Sequence, residues 1–180
     1  MPNNKASIRK EMKLLRRKNY VLDELAAWNA AKNFFKNFNN SSTVGVYWPM
    51  SFELDTRPLI KILLKTKTVC LPTIKENIMK FVEWKNSEVL YYNKLKFYQP
   101  NSDKNTIEPE LILVPLLAFD TKGRRLGYGK GYYDKFYEKN KNKTFVGYGY
   151  AFQKINNLPS NYYDLKLNAI VTNDYIIDIF

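Results

Sequence analysis

The sequence predicts a three-layer α/β/α domain with a largely parallel sheet. Short apolar or β-favouring runs, typical of buried strands, alternate along the chain with segments whose apolar residues have helical spacing. Two of these runs are followed by loops rich in glycine or polar residues, as expected at the carboxyl edge of an open α/β sheet. The 180 residues contain no internal repeat or linker, so one domain, 1–180, is expected.

Composition limits the classes of function. A net charge of +12 is compatible with a nucleic-acid partner, or with a lysine-rich solvated surface around a site for small anions. The lysines are scattered rather than massed in one block, which favours the second interpretation and predicts no nucleic-acid partner. The chain has no histidine, so histidine-based triads and histidine-ligated zinc are excluded. The single cysteine, Cys70, lies in an apolar run and is expected to be a buried, unreactive thiol.

The N-terminal charges have no apolar core behind them, which argues against a signal peptide. No apolar run approaches the length of a membrane span. The expectations are therefore a cytoplasmic location and no membrane partner. A monomer is expected as well, although the sequence by itself does not determine the oligomeric state.

The first predicted helix can be capped by Asn3 or Asn4 and carries Ile8, Met12 and Leu15 on one face. An adjoining face carries a basic stripe: Lys5, Arg9, Lys13 and Arg16. A stripe of this kind is usually solvated.

A second helix is predicted from about Asp23 to the polar break at 39–42. Its expected inward residues are Leu25, Trp28, Phe35 and Phe38. A core strand at 43–48 then leads into a loop at 48–56, at the strand's carboxyl end.

The following elements alternate in the same way. Asp55 or Thr56 can cap a helix at 58–65, and a strand at 69–71 is expected to end at Pro72. Residues 79–84 form a possible third strand, whereas the polar stretch 85–108 indicates no function.

The central stretch combines a buried strand at 111–114, a tight turn at 120–123 and three alternating glycines, Gly127, Gly129 and Gly131. A helix is predicted directly afterwards, because aromatic residues recur at i, i+4 spacing from Tyr132. Glycines allow close approach of a ligand to the backbone, and N–H groups at a helix start attract anions.

This loop is neither a Walker A loop nor a dinucleotide fingerprint, because its spacing fits neither pattern. A plain glycine-rich turn is the alternative to a ligand site. The added charges of Arg125, Lys130 and Asp134 favour phosphate binding, and a triphosphate suits the loop best.

The run RLGYGKGYYD, residues 125–134, closely resembles the signature of the 5-formyltetrahydrofolate cyclo-ligases, also called 5,10-methenyltetrahydrofolate synthetases. Phe119, Asp120 and Gly123 before it match as well. The resemblance implies a NagB/RpiA-like fold, Mg²⁺ as cofactor, and ATP-dependent cyclisation of 5-formyltetrahydrofolate to 5,10-methenyltetrahydrofolate with release of ADP and phosphate.

The resemblance also implies roles for single residues. Arg125 and Lys130 are the expected catalytic residues, and Asp134 and Asp164 the expected magnesium ligands. The ATP site would comprise Lys5, Ala6, Ser7, Ile8, Arg9, Arg125, Leu126, Gly127, Tyr128, Gly129, Lys130, Gly131, Tyr132 and Tyr133. The folate site would comprise Trp48, Glu53, Tyr128, Gly129, Lys130, Gly131 and Tyr132. Core packing remains an alternative for Trp48, and a surface loop position for Glu53.

The last part of the chain predicts a strand at 144–150, a loop at 158–164 and a final strand at 169–172. Here the sequence departs from many bacterial members of the family. Tyr163 stands where they often have histidine, and Asn168 where they often have an acid.

Two other classes of function were weighed against the enzyme. A basic nucleic-acid-binding module would interleave aromatic and basic residues along strands, whereas Tyr132 and Tyr133 adjoin a glycine loop. A sugar-phosphate isomerase would need a base at the loop, and no obvious one is present.

Overall fold

Five parallel strands form the centre of the molecule in the computed structural model, which describes residues 4–20 and 24–179. The predicted helix-start residues Asn3 and Asp23 lie outside these ranges. The strands are β1 (Thr43–Gly45), β2 (Thr68–Lys75), β3 (Ile78–Glu83), β4 (Tyr91–Tyr92), β5 (Tyr98–Gln99), β6 (Leu111–Pro115), β7 (Ala118–Phe119), β8 (Arg125–Leu126), β9 (Thr144–Gly149), β10 (Ala169–Thr172) and β11 (Ile176–Asp178). The helices are α1 (Lys5–Asn19), α2 (Glu24–Asn37), α3 (Arg57–Leu63) and α4 (Tyr132–Lys139).

The main sheet has the strand order β11-β10-β9-β6-β1-β2-β3 within the described residues. The neighbours from β10 to β2 are parallel, and an antiparallel strand, β11 or β3, closes each edge. Two small hairpins, β4–β5 and β7–β8, lie outside this sheet. The predicted largely parallel sheet is confirmed.

The two faces of the sheet are covered by different helices. Helices α2 and α3 contact each other, and their Phe34, Leu59 and Leu63 are fully buried on one face. On the other face the aromatic side chains of α4 pack against a second cluster, which includes Phe81 and Phe145. This arrangement is the predicted three-layer fold. No helix in 4–20 or 24–179 combines the length and apolarity needed to cross a membrane.

Helix α1 packs outside the two main layers, beside the β7–β8 hairpin. The Asn4 side chain caps it by accepting a hydrogen bond from the Ser7 N–H at 2.9 Å, as predicted. Its apolar face, with Met12 buried and Ile8 and Leu15 partly buried, packs against a small cluster that contains Leu126. This packing sets the direction of the basic stripe, of which Arg16 is buried, Lys5 and Arg9 are partly buried and Lys13 is exposed.

The predicted inward face of α2 is wrong in part. Phe35 and Phe38 pack against the core, but Leu25 and Trp28 are 66% and 45% exposed. The buried stripe is instead built mainly of four alanines, Ala26, Ala27, Ala30 and Ala31, together with Phe34. Alanine lets the helix approach the sheet closely. This close contact, rather than the size of the apolar side chains, determines which face of α2 is buried.

Strand β2 continues through Pro72 rather than ending before it, which corrects the predicted boundary. Within β2, pairing with β1 is limited to Thr68–Cys70. From Pro72 onward, the neighbour of β2 in the sheet is β3. The missing N–H of Pro72 costs little on a side that carries no ladder. The predicted final strand, β10, has the expected bounds, but it is followed by β11, which the sequence analysis does not predict.

Candidate functional site

A cavity of about 350 Å³ lies at the carboxyl edge of the central strands. Its wall combines the basic face of α1, the loop that follows β1, the end of β6 and the glycine loop, residues 127–131. This is the edge at which open α/β sheets bind ligands, and the volume falls in the range of small-molecule sites, roughly 300–1,000 Å³.

Most of the predicted site residues meet in this cavity. The lining includes Lys5, Arg9, Trp48, Glu53, Arg125, Leu126, Gly127, Tyr128, Gly129, Lys130, Gly131, Tyr132, Tyr133, Asp134 and Asp164. Three residues of the predicted ATP site are not part of the lining. Ala6 is exposed, the Ser7 hydroxyl donates to the Asn4 carbonyl at 2.9 Å, and Ile8 packs on the cluster around Met12.

The glycine loop is shaped by the arginines that pack on it. A Cβ at Gly127 would lie 2.5 Å from Arg125 Nη1, so a larger residue would displace that guanidinium. Gly129 has φ +93°, and its missing side chain leaves room for the Arg9 guanidinium. Arg9 Nε donates to the Gly127 carbonyl at 2.9 Å, which ties α1 to the loop.

Helix α4 begins directly after the loop, with Gly131 at the N-cap in a left-handed conformation. No side chain caps this end, and Asp134 lies in the first turn, where a carboxylate is favoured by the helix dipole. The predicted order of strand, turn, glycine loop and helix start is confirmed.

Arg125 lies beneath the loop with a side chain only 6% exposed. Its Nη2 donates to Asp134 Oδ1 at 2.8 Å, while its buried Nε has no hydrogen-bond partner in 4–20 or 24–179. Burial lowers the pKa of the Arg125 guanidinium, and the charge of Asp134 acts against that shift. Arg125 is thus a buried cation that borders the cavity and retains an unused donor.

A second cation–carboxylate pair lies at the same end of the cavity. Lys5 Nζ donates to Asp164 Oδ2 at 2.5 Å, and the Asn161 N–H donates to the same oxygen. Lys130, by contrast, is exposed in the glycine loop. We call the region formed by these two ion pairs and the glycine loop the phosphate end.

The carboxylates of the phosphate end suit a magnesium ion that is also bound by substrate phosphates. They suit less well a metal site made of protein ligands alone. In the described part of the chain, no three His, Cys, Asp or Glu side chains are grouped so that they could hold a metal. Mg²⁺ is usually held by one or two carboxylates together with substrate phosphates and water. Asp134 and Asp164, which both line the cavity, offer that donor set.

A second part of the cavity, the Glu53 end, is built around Glu53, which is 4% exposed rather than a surface carboxylate. It meets the phosphate end at Tyr128 of the glycine loop. Glu53 Oε2 accepts the Met50 N–H at 2.8 Å, and Glu53 Oε1 accepts the Tyr128 hydroxyl, also at 2.8 Å. The Tyr128 oxygen in turn accepts from Arg16 Nη2 at 2.5 Å. We call the hydrogen-bonded chain from Arg16 through Tyr128 to Glu53 the Glu53 relay.

Burial dominates the electrostatics of the relay. It raises the pKa of the Glu53 carboxyl above its usual value, and the Arg16 charge is the first interaction that opposes the rise. Burial also raises the pKa of the Tyr128 phenol, next to the Glu53 charge. Tyr128 therefore acts as a neutral hydroxyl that donates to Glu53.

Trp48 packs on the core and also faces the cavity, so core packing is shown and its predicted contact with a ligand stays a prediction. It lines the cavity, and its ring meets the buried Trp84 edge-to-face with ring centroids 5.6 Å apart. Cys70 is fully buried, and burial raises the pKa of its thiol to about 12, in agreement with an unreactive cysteine.

Sequence reasoning missed the apolar wall of the cavity. Leu95 and Phe97 of the β4–β5 hairpin line it together with Pro72, Ile74 and Met79 of the β2–β3 ribbon. The stretch 85–108 had been interpreted as carrying no function. Leu95 and Phe97, which lie among lysines, were the signal for this wall. Their positions in the sequence did not indicate which part of the fold they would contact.

The two departures from the family pattern fall on different surroundings. Tyr163 is 75% exposed and packs edge-to-face on Tyr162, beside Asp164. The Asn168 side chain accepts the Phe145 N–H at 2.8 Å and so links the end loop to β9.

Comparison with known proteins assigns the family. A profile of the 5-formyltetrahydrofolate cyclo-ligase family matches residues 1–173. The chain belongs to this family. Among its relatives, the 5-formyltetrahydrofolate cyclo-ligase of Escherichia coli K12 is 35% identical over 140 residues, which cover 72% of this chain and 77% of the relative. The probable 5-formyltetrahydrofolate cyclo-ligase of Schizosaccharomyces pombe is 32% identical over 174 residues, 86% of this chain and 81% of the relative.

Solved structures agree with the cyclo-ligase family in fold. The NMR structure of the Aquifex aeolicus 5,10-methenyltetrahydrofolate synthetase matches with a TM-score of 0.84 at 28% identity, covering 97% of this chain and 92% of that one. The Mycoplasma pneumoniae synthetase matches with a TM-score of 0.75 at 20% identity, covering 94% and 99%, and supports the fold alone. The family predicted from residues 125–134 is confirmed.

Proposed function

We propose that this member of the cyclo-ligase family is a 5-formyltetrahydrofolate cyclo-ligase, which uses ATP to form 5,10-methenyltetrahydrofolate and releases ADP and phosphate. The observation that carries the proposal is the convergence of the family signature, residues 125–134, with the basic face of α1 on one cavity. One end of that cavity suits phosphates, and the other suits a flat ring with polar edges.

The proposed chemistry needs charge and positioning more than covalent catalysis. The formyl oxygen attacks the γ-phosphorus, the bond to ADP breaks, and a phosphorylated imidate forms. N10 then attacks the activated carbon and gives up its proton to solvent, and the carbon–oxygen bond breaks to release phosphate. Fixed positive charges stabilise the charge that develops on the transferring phosphoryl group.

In this proposal the phosphate end binds ATP. Arg125 lines the cavity, and its guanidinium carries enough N–H groups to donate to phosphate oxygens as well as to Asp134. Lys130 is exposed in the loop and can close on the same phosphates, while Lys5 and Arg9 approach from α1. Each of these cations except Lys130 is already held in place by a contact within the protein.

Magnesium is proposed as the cofactor. Asp134 and Asp164 would hold it at the phosphate end, where it would screen the phosphates from the two carboxylates. Without a cation between them, the Asp134 carboxylate would repel a phosphate at the same helix end.

The folate is proposed to occupy the Glu53 end. Glu53 is a buried acceptor for N–H donors of the pterin, and Trp48 offers an aromatic face. Leu95 and Phe97 of the β4–β5 hairpin supply apolar surface for the rest of the molecule.

The test is the absorbance of the methenyl product when purified protein is mixed with 5-formyltetrahydrofolate, ATP and Mg²⁺. Product should form only in the complete mixture, and chelation of Mg²⁺ should stop it. Well-folded protein that forms no product would refute the assignment.

The remaining expectations stand as proposals beside this one: a monomer, a cytoplasmic location, and no nucleic-acid or membrane partner. Light scattering on a sizing column should give a mass near 21.3 kDa for the monomer.

A further inference from the structure

Arg16 near the end of α1 is buried at a cost that no ligand contact explains. It is 3% exposed, and its Nε and Nη1 groups have no hydrogen-bond partner among residues 4–20 and 24–179. Unsatisfied donors on a buried charge are destabilising. Arg16 is not among the side chains that line the cavity, so it cannot offset this cost by touching a ligand there.

The contact that Arg16 does make fixes the direction of the Glu53 relay. A guanidinium has donors and no acceptor, so its Nη2 must donate to the Tyr128 oxygen. The single hydroxyl hydrogen of Tyr128 is then directed to Glu53 Oε1. Since the Met50 N–H occupies Oε2, both carboxylate oxygens act as acceptors from the protein. Glu53 therefore meets a ligand as an oriented acceptor.

Arg16 also fixes the position of the phenol. Its guanidinium carbon lies 5.5 Å from the centroid of the Tyr128 ring, within the range of a cation–π contact. Lys13, one turn earlier on α1, contacts the same ring from 5.7 Å. The ring that carries the middle hydroxyl of the relay is thus held by the basic face of α1.

Charge adds to this geometry. Burial raises the pKa of Glu53, and Arg16 is the nearest compensating charge that acts on it. Loss of the Arg16 charge would favour the protonated carboxyl, which would present a donor in place of an acceptor.

We propose that Arg16 is a positioning residue for the folate, which acts through the Tyr128 hydroxyl to hold Glu53 as an ionised, oriented acceptor at one end of the cavity. This inference rests on the proposed function, because it takes the folate to be the ligand of Glu53. It assigns to α1 two separate tasks. Its first turns place cations at the phosphate end, and its last turn places Arg16 behind the Glu53 end.

The first test measures binding by calorimetry, separately for 5-formyltetrahydrofolate and for ATP with Mg²⁺, so that turnover is not required. Arg16→Met should weaken folate binding about 10-fold, the effect of losing a hydrogen bond to a charged network. ATP binding should change by less than about twofold, since the phosphate end keeps its own contacts. Arg17→Met, which alters an exposed arginine next in the chain, is the matched control and should change neither constant.

Two further variants separate positioning from general structural support. Arg16→Lys keeps a cation that can donate to Tyr128 and should recover folate binding to within about threefold of the wild type. In a Tyr128→Phe background, Arg16→Met should add less than about threefold, because the middle of the relay is already removed. Thermal unfolding of each variant confirms that the binding constants refer to folded protein.

The outcomes are distinct for the inference and for the proposed function. Equal weakening of both ligands, or full additivity with Tyr128→Phe, would overturn the role of Arg16 while leaving the enzyme assignment intact. Wild-type protein that binds the folate but forms no methenyl product would contradict the enzyme assignment alone. Wild-type protein that does not bind the folate would overturn both.

Discussion

At the phosphate end of the cavity the carboxylates are paired directly with cations and stay partly exposed, whereas at the Glu53 end the carboxylate is buried and reaches its cation through a phenol. The Asp134 and Asp164 side chains are 32% and 26% exposed, while Glu53 is 4% exposed. Exposed ion pairs contribute little to stability. Lys5–Asp164 is nearer to this case than Arg125–Asp134, whose guanidinium is only 6% exposed. A buried relay with fixed donor directions cannot rearrange without leaving a polar group unsatisfied.

This difference predicts how each end responds to ligands and to mutation. In the proposed function, Mg²⁺ and phosphates take over the ion-pair partners at the phosphate end, so changes there should affect ATP affinity and turnover. The Glu53 end is fixed before a ligand arrives, so changes there should affect folate affinity and folding stability. Five variants and their controls test the contrast.

Arg125→Lys should have the largest effect. Lysine keeps the charge but cannot make two parallel hydrogen bonds to a phosphate while it also holds Asp134. We expect kcat to fall by ~10²–10³, as on loss of one transition-state donor. Steady-state rates of methenyl formation give the measurement.

Arg124→Lys is the matched control, because the neighbouring arginine points away from the cavity. Arg124 Nε donates to the fully buried Asp120 at 2.7 Å and holds the turn before the glycine loop. The control should lower the melting temperature by a few degrees, since it weakens one buried charge-assisted bond, and leave kcat within about threefold. Equal losses of kcat in both variants would show that Arg125 has no special role.

Asp134→Asn should come next, with the fold retained and most activity lost. Asparagine can still accept the Leu165 N–H, which Asp134 accepts at 3.0 Å. The lost charge removes both the Arg125 ion pair and a proposed magnesium ligand. The Mg²⁺ concentration that gives half-maximal rate should therefore rise, and a titration of rate against Mg²⁺ measures it.

The Mg²⁺ titration distinguishes the two roles of Asp134. A fall in kcat with an unshifted Mg²⁺ requirement would make Asp134 the partner of Arg125 and not a metal ligand. Normal turnover with an unshifted requirement would leave it as a helix-end charge. Glu138→Gln, an exposed change on the same helix, should alter neither quantity.

Lys5→Ala and Arg9→Ala should have a smaller, selective effect. Each removes a cation from the basic face of α1, so the apparent KM for ATP should rise about tenfold, and more than the KM for the folate. Lys10→Ala removes an exposed charge from the same helix and serves as control. An unchanged KM for ATP in both variants would return the two residues to the solvated-stripe interpretation.

The phosphate end could be predicted from sequence because its main residues are contiguous. Gly127, Gly129 and Gly131 directly precede a helix with strong aromatic periodicity. Local chain geometry is therefore enough to place the loop at the start of that helix. Even so, the sequence placed Arg125 at the loop without showing that it would pair with Asp134, nine residues later. That pairing depends on how the loop folds back over the helix start.

At the Glu53 end the family resemblance grouped Glu53 with Tyr128, but the hydrogen bonds that join them to Arg16 could not be predicted, because the three residues come from distant parts of the chain. Arg16, Glu53 and Tyr128 belong to α1, the loop after β1 and the glycine loop, and only tertiary packing joins them. Sequence spacing made Arg16 one member of a stripe of four similar cations. The prediction of the buried face of α2 was wrong for a related reason. Two apolar stripes fit helical spacing, and contact with the sheet selects the alanine-rich one.

The pH dependence of folding offers the smallest and most specific test of the contrast between the two ends. Burial raises the folded-state pKa of Glu53 above its usual value of about 4.5, so the folded protein binds this proton more tightly than the unfolded chain does. The associated stability is fully present below pH 4.5 and is lost as pH rises through the raised pKa. Glu53→Gln cannot titrate, so its free energy of unfolding should improve relative to the wild type across this interval. Urea unfolding at several pH values measures the difference, with Glu138→Gln expected to show no such trend because that carboxylate is exposed. A difference between Glu53→Gln and wild type that is constant with pH, or that falls as pH rises, would mean that Arg16 and the hydrogen bonds to Glu53 compensate its burial fully, and the Glu53 end would then resemble the ion pairs of the phosphate end.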